Sequence, residues 1–380
     1  MKPARDVYIV GVGMIKYGRY PDKMVADLAT EAVIVALKDA NMTMKDIQMV
    51  GSGNLSAPVG QAIMRSVGQT GVPVVNVANA CATGSTACRE AYFSVASGAY
   101  DVAMGIGSEQ MGKSGLLGGG KKKRDPAYAT EGVQGSNTMP SVFSQWGTDH
   151  MRKYGTSFED FARVAYKNHK NSVHNPYAQY QKEYSLEEIK NSRMISWTNT
   201  LLMCCPTGDG AGAVIYATEE KARQFGCKTV KVAASILTSD PWTETGEAIL
   251  DVNEVTRLAA KEAWETAGIG PEDLDVVELH DCFATAEMVH YENLGLCADG
   301  EGPGCLKQGE FDIGGRVAVN ASGGLISRGH PLGATGACGI SEIVWQLRGE
   351  SGGRQQKGAK AGAAHVIGLT SACTINVMQA

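Results

Sequence analysis

The sequence contains no apolar run long enough to cross a membrane. No stretch reaches the roughly 18 consecutive apolar residues that a membrane span needs, so we expect no membrane partner. There is also no excess of positive charge: the formal net charge is −5. This argues against nucleic acid as a partner, because phosphate binding needs a basic surface. Aromatic residues make up only 7%, so small and aliphatic side chains must fill the core.

Cysteine is present, but not in a metal-binding pattern. Ten cysteines are spread over 380 residues, and no Cys-x-x-Cys pair occurs among them. Zinc ribbons and zinc fingers are therefore not indicated, and we expect no bound metal. The N-terminal segment enters a strand-like pattern at once, without a signal-peptide pattern. These features favour a reducing, cytoplasmic setting.

Glycine is the residue in excess. Forty-seven of the 380 residues are glycine, against a usual share of ~7%, and they show no G-X-Y period. With 43% hydrophobic and 20% charged residues, the chain can bury a sizeable core. The glycines then predict tight turns and close backbone approaches, which often line binding sites.

The second half of the chain repeats the first. Strand-like runs rich in Val and Ile alternate with amphipathic helical patterns, which is typical of an α/β fold. Residues 29–54 align with residues 256–281 at a constant offset of 227. Further on, residues 82–93 resemble residues 334–345. Two matches in the same order indicate a duplication.

The duplication divides the chain into two halves and an insertion. Each copy carries an aspartate, Asp46 or Asp273, that is expected to open a strand. The stretch inserted into the first half is polar, has no counterpart, and is long enough to be a lid or an interface. The predicted domains are an N-terminal half at 1–110 (completed by 200–220), an inserted loop domain at 111–199 and a C-terminal half at 221–380.

Cys81 is the first candidate catalytic residue. It lies between a strand-like run at 72–77 and a helix of small residues that begins near Ala82. The amides and dipole of a helix N-terminus favour thiolate, the nucleophilic form of cysteine. A buried structural cysteine is the alternative, which the strand-turn-helix placement disfavours. Cys204 and Cys205 precede a strand and are interpreted as part of a structural turn.

Two further segments carry groups that can move protons. The segment 278–283 reads Glu-Leu-His-Asp-Cys-Phe, which puts His280 and Cys282 on one side of an extended chain. Their use as acid and base is one interpretation, and a satisfied buried histidine is the other. His330 follows a glycine-rich loop, at the junction that Cys81 approximates in the first half. A pseudo-twofold fold would join the two junctions, giving an imidazole-activated thiol.

Two nucleotide-binding motifs are incomplete. Lys16 stands where a dinucleotide fingerprint starting at Gly11 needs a glycine, and Lys122 replaces the Ser or Thr of a P-loop starting at Gly115. The basic run Lys121–Arg124 is either a solvated loop or a rim that attracts phosphate.

Together these blocks resemble the thiolase family over nearly all 380 residues. The Cys81 block, the duplicated halves, the turn at 209–211 and the Gly-His-Pro motif at 329–331 occur in the family's order. The resemblance implies an α/β thiolase fold: two duplicated βαβαβαββ halves in a layered α/β/α/β/α arrangement, plus an inserted loop domain. It also implies that Cys81 takes the acyl group and that His330 accepts its proton. Coenzyme A is then a co-substrate, and no cofactor is tightly bound.

Two departures from other thiolases resemble the sterol-carrier-protein-2-type subgroup. The His-Asp-Cys-Phe motif at 280–283 stands where an Asn-Glu motif is usual, and residues 367–369 lack the usual Cys-x-Gly. In that subgroup the motif supplies the acid/base cysteine, here Cys282, and His280 helps bind the thioester oxygen. The loop candidates for an oxyanion hole are Gly368, Ser371 and Cys373.

The implied function is that of an acyl-CoA C-acyltransferase that cleaves or forms 3-ketoacyl-CoA through an acyl-cysteine intermediate. One alternative is a thiolase-like retro-aldolase acting on 3-hydroxyacyl-CoA, and another is a scaffold subunit of a larger acyl-CoA complex. Retention of all four groups (Cys81, His280, Cys282 and His330) argues against both. Hydroxymethylglutaryl-CoA synthase and ketoacyl synthase fit the motifs less well.

The resemblance also suggests a pocket and partners. The candidates for the coenzyme A and acyl pocket are Met139, Phe143, Met288, Ser322 and Gly323. The run Lys121–Arg124 would contact the phosphates of coenzyme A. A homodimer is implied, and relatives of this subgroup suggest a small partner with a zinc-ribbon and an OB-like domain.

Overall fold

The computed structural model describes residues 4–114, 138–242, 252–369 and 372–380. The strands are β1 Tyr8–Met14, β2 Met49–Gly53, β3 Val74–Val77, β4 Val102–Gln110, β5 Met194–Ser196, β6 Asn199–Thr200, β7 Asp209–Ala217, β8 Val230–Thr238, β9 Val276–Glu278, β10 Ala318–Val319, β11 Ala361–Gly368 and β12 Ala372–Gln379. The helices are α1 Val25–Asp39, α2 Gly60–Val67, α3 Thr83–Ala96, α4 Met111–Ser114, α5 Thr138–Tyr154, α6 Phe158–Ser172, α7 Leu186–Asn191, α8 Glu219–Phe225, α9 Val252–Ala267, α10 Ala284–Asn293, α11 Gly302–Lys307, α12 Gly324–Arg328 and α13 Thr335–Arg348.

The main sheet is built from two halves that mirror one another in strand order. From edge to edge the order is β10-β9-β11-β12-β8-β1-β7-β4-β2-β3. Outward from the centre, β8-β12-β11-β9-β10 of one half therefore matches β1-β7-β4-β2-β3 of the other. The halves meet edge to edge through an antiparallel contact in which Tyr8 pairs with Lys231 and Ile9 with Val230. This symmetry is what the duplication predicts.

The helices form layers on both faces of the two half-sheets. Helices α3 and α13 lie between the halves: α13 contacts β9 and β11 on one side and β4 and β7 on the other. Helix α1 covers β1 and β7 from outside, and α9 covers β8 and β12. The predicted α/β class and five-layer arrangement are confirmed. Within the described ranges, no helix has the length and apolarity needed to cross a bilayer.

The duplicated aspartates have the same structural role in both halves, although not the predicted one. Asp46 accepts a hydrogen bond from the backbone N–H of Thr43 at 2.8 Å, and Asp273 accepts one from Gly270 at 2.9 Å. A carboxylate bonded to an amide three residues earlier stabilises a turn. These residues therefore close a turn ahead of β2 and β9 and do not open the strands.

The inserted segment interrupts the first half without leaving its sheet incomplete. After the insertion, β7 returns to lie between β1 and β4. The domain boundaries at residues 110, 199 and 221 stay predictions.

The two inner helices approach each other closely at their N-terminal ends. A Cβ placed on Gly336 of α13 would lie 2.3 Å from the backbone nitrogen of Ser85 in α3. Only a residue without a side chain permits this contact. The approach matters for function because Cys81 lies just before α3 and His330 just before α13.

Replacing Gly336 should separate these helices. We expect Gly336→Ala to lower the free energy of unfolding by roughly 1–3 kcal/mol, the usual cost of overpacking. The matched control is Gly339→Ala in the same helix, where the nearest atoms to a new Cβ are 3.9 Å away. That variant should be neutral, or more stable by up to about 1 kcal/mol through helix propensity. Urea titration of both variants tests the contact, and equal midpoints would contradict it.

Candidate active site

Cys81 lies in a tight turn between β3 and α3. Ala80 has a φ of 47°, in the left-handed region that non-glycine residues rarely adopt. The hydroxyl of Thr83 donates to the Ala80 carbonyl at 2.6 Å and accepts from the N–H of Asn79 at 2.8 Å. Such strained conformations cluster at active sites, where the surrounding structure maintains them.

The thiol of Cys81 meets the imidazoles of His280 and His330. Each residue offers one donor atom, and the three atoms all lie within 4.8 Å of one another. The two rings are perpendicular, with centroids 5.0 Å apart. Both histidines are at most 3% exposed, whereas Cys81 is partly accessible. The structure thus brings three of the predicted site residues together; their catalytic roles stay predictions.

The hydrogen bonds of His330 determine which of its nitrogens is free. The hydroxyl of Thr335 donates to the carbonyl of Pro331 at 3.1 Å. It must therefore accept its 2.8 Å hydrogen bond from His330 Nδ1–H. Nε2 is left as the unprotonated nitrogen, and it is buried without a hydrogen-bond partner in the described part of the chain. An imidazole in this state can accept a proton from a neighbouring thiol.

Burial keeps the thiol and both imidazoles uncharged at rest. Burial raises the pKa of Cys81 to about 12, with a smaller contribution from the carboxylate of Glu109. It lowers the pKa of His280 to about 3, and with His280 and Arg328 it also lowers that of His330. The predicted lowering of the Cys81 pKa by the helix N-terminus is therefore wrong, because desolvation outweighs the helix.

Cys282 has two cysteines in its surroundings, Cys81 and Cys205, and the sequence assigned no chemical role to Cys205. Burial raises the pKa of Cys282, and charge on Cys205 or Cys81 raises it further. The N–H of Cys205 donates to the Cys282 carbonyl at 2.9 Å, and Cys204 forms a β-bridge with Phe283. The interpretation of 204–205 as a structural turn was therefore incomplete. The adjacency of two cysteines was the only sequence signal for this contact.

Asp281 ties the His-Asp-Cys-Phe motif to the segment that carries His330. Its carboxyl group accepts hydrogen bonds from the N–H groups of Leu325 at 2.6 Å and Ile326 at 3.3 Å. Both amides are in the first turn of α12, which has no hydrogen-bond acceptor of its own for them. Helix α12 leads directly to Gly329 and His330, so this cap sets the position of the imidazole.

The inserted segment reaches the same carboxyl group through α6. The amide of Asn168 donates to Asp281 at 2.8 Å and to Glu287 at 2.6 Å. The ammonium of Lys167 lies 2.9 Å from the Glu287 carboxylate, and both side chains are buried. Burial and the Glu287 charge raise the pKa of Asp281. Sequence reasoning missed Lys167 and Asn168, because polar residues in an amphipathic helix ordinarily face solvent.

The predicted oxyanion-loop residues differ in position. Gly368 packs against the Cys81 turn: a Cβ there would lie 2.4 Å from the Asn79 carbonyl oxygen. Cys373 is fully buried in β12, and its side chain faces Thr256 of α9, on the outer face of the sheet. Its thiol therefore faces away from the Cys81 layer. Ser371 lies outside the described residues, as does the basic run 121–124.

Among the predicted pocket residues on α5 and α10, Phe143 contacts the His-Asp-Cys-Phe motif through its ring. Its ring stacks on Phe283 with centroids 4.7 Å apart, and Phe283 directly follows Cys282. Met139 is half-buried on α5, and Met288 is fully buried in the apolar core.

Ser322 and Gly323 maintain the backbone of the glycine-rich loop. The hydroxyl and N–H of Ser322 donate to Glu278 at 2.6 and 3.0 Å. Gly323 has a φ of 94° where α12 begins. These contacts give both residues a structural part beside their predicted place in the pocket.

A duplicated, five-layered α/β fold with a thiol and two imidazoles where the halves meet defines the thiolase class of proteins. The chain belongs to the thiolase family: the family model described as "Thiolase, N-terminal domain" matches residues 7–197, and "Thiolase C-terminal domain-like" matches residues 245–378.

Curated relatives and solved structures agree with this assignment. The chain is 40% identical to "Sterol carrier protein 2" of Homo sapiens, over 98% of this chain and 72% of that protein. It is 38% identical to "Acetyl-CoA acetyltransferase" of Methanothermobacter thermautotrophicus, over 96% and 97%. The fold matches the "Ltp2-ChsH2(DUF35) aldolase" with a TM-score of 0.85, at 23% identity over 98% and 97%. It matches human mitochondrial 3-ketoacyl-CoA thiolase with a TM-score of 0.74, at 18% identity over 99% of both chains.

The pKa of Cys81 predicts how its reactivity changes with pH. Because that pKa is raised to about 12, the thiolate fraction should rise about tenfold per pH unit between about pH 7 and pH 9. Alkylation by iodoacetamide, followed on the peptide that contains Cys81, should rise in the same proportion. A short cysteine peptide with a pKa of about 8.5 is the control, and its rate should rise only about threefold between pH 8 and pH 9 and level off by about pH 9.5. A Cys81 rate that is already constant at neutral pH would show a resting thiolate.

Loss of one Asp281 oxygen should cost less than loss of both. We expect Asp281→Asn to lower the free energy of unfolding by about 1–2 kcal/mol, because its one oxygen can still accept from Leu325 whereas its amide nitrogen would face the N–H donors of Ile326 and Asn168. Asp281→Ala leaves buried amides unpaired and should cost about 2–4 kcal/mol. By displacing His330 it should also lower kcat roughly 100-fold. Denaturant titration and steady-state kinetics compare the two variants; equal damage by Asn and Ala would contradict a cap by the Asp281 oxygens.

Proposed function

We propose that the protein is an acyl-CoA C-acyltransferase that cleaves or forms 3-ketoacyl-CoA through an acyl group on Cys81. The observation that carries this proposal is the convergence of Cys81, His280 and His330 within 4.8 Å. The similarity to an acetyl-CoA acetyltransferase over nearly the whole chain supports the same reaction class.

In the direction of cleavage, the first step forms the acyl enzyme. Nε2 of His330 takes the thiol proton, and the Cys81 sulfur attacks the 3-keto carbon of the substrate. Both groups are neutral at rest, so the step creates an ion pair whose charges attract strongly inside a buried site. The carbon–carbon bond then breaks. The leaving carbanion takes a proton from Cys282 and departs as acetyl-CoA or a substituted acetyl-CoA.

The second step transfers the acyl group to coenzyme A. Cys282 regains its proton from the incoming thiol, whose sulfur attacks the Cys81 thioester. Collapse of the tetrahedral intermediate releases the shortened acyl-CoA, and the Cys81 thiolate recovers its proton from His330. Run in reverse, the same steps condense two acyl-CoA molecules, so concentrations decide the direction.

Negative charge develops on oxygen in both steps and requires hydrogen-bond donors. We assign the thioester oxygen to His280 and the protonated Nε2 of His330, whose rings border the same space. The oxygen of the tetrahedral intermediate is assigned to backbone amides at Cys81 and in the loop that begins at Gly368, which packs against the Cys81 turn. Ser371 is a further donor candidate in that loop.

A retro-aldolase is the second candidate, because one solved structure with this fold is named an aldolase. Such an enzyme cleaves 3-hydroxyacyl-CoA without an acyl enzyme and does not need a nucleophilic thiol. The intact set of Cys81, His280, Cys282 and His330 favours the acyltransferase. It also disfavours a scaffold subunit, which has no use for a thiol beside two imidazoles.

The remaining parts of the proposal concern ligands and partners. Coenzyme A binds as a co-substrate, its phosphates near the run 121–124 and the acyl chain near Phe143. The protein forms a homodimer, and a small partner subunit is suggested by the name of the solved Ltp2-ChsH2 structure. Light scattering with and without a co-purified partner measures the oligomeric state of the protein and the binding of the partner.

The acyl enzyme is directly detectable. After mixing with acetoacetyl-CoA or longer 3-ketoacyl-CoAs, the intact protein should gain the mass of one acyl group. Cys81→Ala should abolish the adduct and lower kcat/KM more than about a thousandfold, because the nucleophile is lost. Cys305→Ala removes another partly accessible thiol and should leave both unchanged. Full activity of Cys81→Ala, without an adduct, would overturn the proposal, and cleavage of 3-hydroxyacyl-CoA in its place would identify an aldolase.

A further inference from the structure

The three groups at the centre of the site also have the geometry of an incomplete metal site. Cys81 Sγ and one nitrogen each of His280 and His330 lie within 4.8 Å of one another. His330 Nε2 and His280 Nδ1 are buried and have no hydrogen-bond partner within the described ranges. Buried polar atoms without partners are rare in folded proteins, and each invites a ligand.

We propose that this centre binds one Zn²⁺ ion, which blocks Cys81 and so acts as a reversible inhibitor. In a tetrahedral zinc site, bond lengths of about 2.3 Å to sulfur and 2.0–2.1 Å to nitrogen put the donors roughly 3.3–3.6 Å apart. The three donors must therefore close by at most about 1.5 Å, which side-chain rotation can supply. Two imidazoles and a thiolate leave the fourth position to water.

The donor set selects the metal. Thiolate and imidazole suit Zn²⁺, whereas Mg²⁺ and Ca²⁺ prefer oxygen ligands. Binding requires that the Cys81 thiol release its proton to solvent, after which sulfur and both nitrogens donate lone pairs to the ion. The partial exposure of Cys81 provides an entry path.

The surroundings of His330 resemble the outer shell of a metal ligand. Its Nδ1–H donates to Thr335 at 2.8 Å, which fixes the ring and points Nε2 away from Thr335. Metal-ligating histidines almost always have such a partner, and its loss typically costs 10–100-fold in affinity. Thr335 is therefore a positioning residue for the ion.

Binding and inhibition are separable. Zinc binding depends on the three donors alone, whereas its effect as an inhibitor rests on the proposed function of Cys81. The expectation of no resident metal is unaffected, because an inhibitory ion is removed by a chelator and is not needed for turnover.

The test measures zinc directly. Metal-free full-length protein is titrated with Zn²⁺ by calorimetry, with Mg²⁺ as the control ion. Co²⁺ is then added as a spectroscopic probe for thiolate ligation. We expect one equivalent of Zn²⁺ and a thiolate-to-cobalt charge-transfer band in the near ultraviolet. Cys81→Ser and His330→Ala should each weaken binding more than about tenfold, and Thr335→Val about 10–100-fold.

A control variant excludes a second site. Cys297 and Cys305 lie close enough for the Cys305 thiol to raise the pKa of Cys297, and both are partly accessible. The double variant Cys297→Ser/Cys305→Ser should bind zinc as the wild type does. Circular dichroism verifies that each variant is folded, and wild type alkylated at Cys81 should lose the cobalt band without any substitution.

Two results would overturn the proposal. One is unchanged zinc affinity in Cys81→Ser and in the alkylated protein; the other is loss of binding only in the Cys297/Cys305 double variant. Zinc binding at Cys81 without loss of acyl transfer would instead contradict the proposed role of Cys81 and leave the metal site intact.

Discussion

The contact between the Asp281 carboxyl group and the first turn of α12 is the interaction on which the site depends. One end of this contact is the motif that carries His280 and Cys282, and the other is the helix that leads to His330. Asn168 adds a third attachment from the inserted segment. Because all of these groups are buried, none can exchange its partner for water without a large cost. Two stretches of chain more than forty residues apart therefore behave as one rigid unit.

The duplication explains where this unit meets Cys81. The strand orders of the two half-sheets mirror each other, and α3 and α13 lie back to back between them. Their N-terminal ends are in contact at Gly336 and Ser85. Each inner helix is preceded by a loop, and the pseudo-twofold arrangement puts both loops at the same place. A thiol from one half and imidazoles from the other thus form a single centre that neither half could build alone.

Burial gives this centre its chemical character. It holds the Cys81 thiol and the imidazoles neutral. In the proposed function, the thiolate of Cys81 forms only when its proton moves to His330. A neutral thiol reacts slowly with alkylating reagents, because the thiolate is the nucleophilic form. The unprotonated Nε2 of His330, which would accept the Cys81 proton, can instead donate its lone pair to Zn²⁺. Acyl transfer and zinc inhibition are thus two proposed uses of the same nitrogen.

Much of the fold and part of the candidate site can be predicted from the sequence. Local patterns along the chain predict the alternation of strands and helices and the internal repeat. They also predict the candidate site residues Cys81, His280 and His330, because each lies in a recognisable short motif. The repeat even revealed the paired aspartates Asp46 and Asp273, although their role as turn residues emerged only from their hydrogen bonds. Tertiary structure alone decided the pKa of Cys81, the meeting of Cys205 with Cys282, and the burial of Lys167 and Asn168. Desolvation and long-range pairing depend on which distant surfaces exclude water, and no local pattern records that.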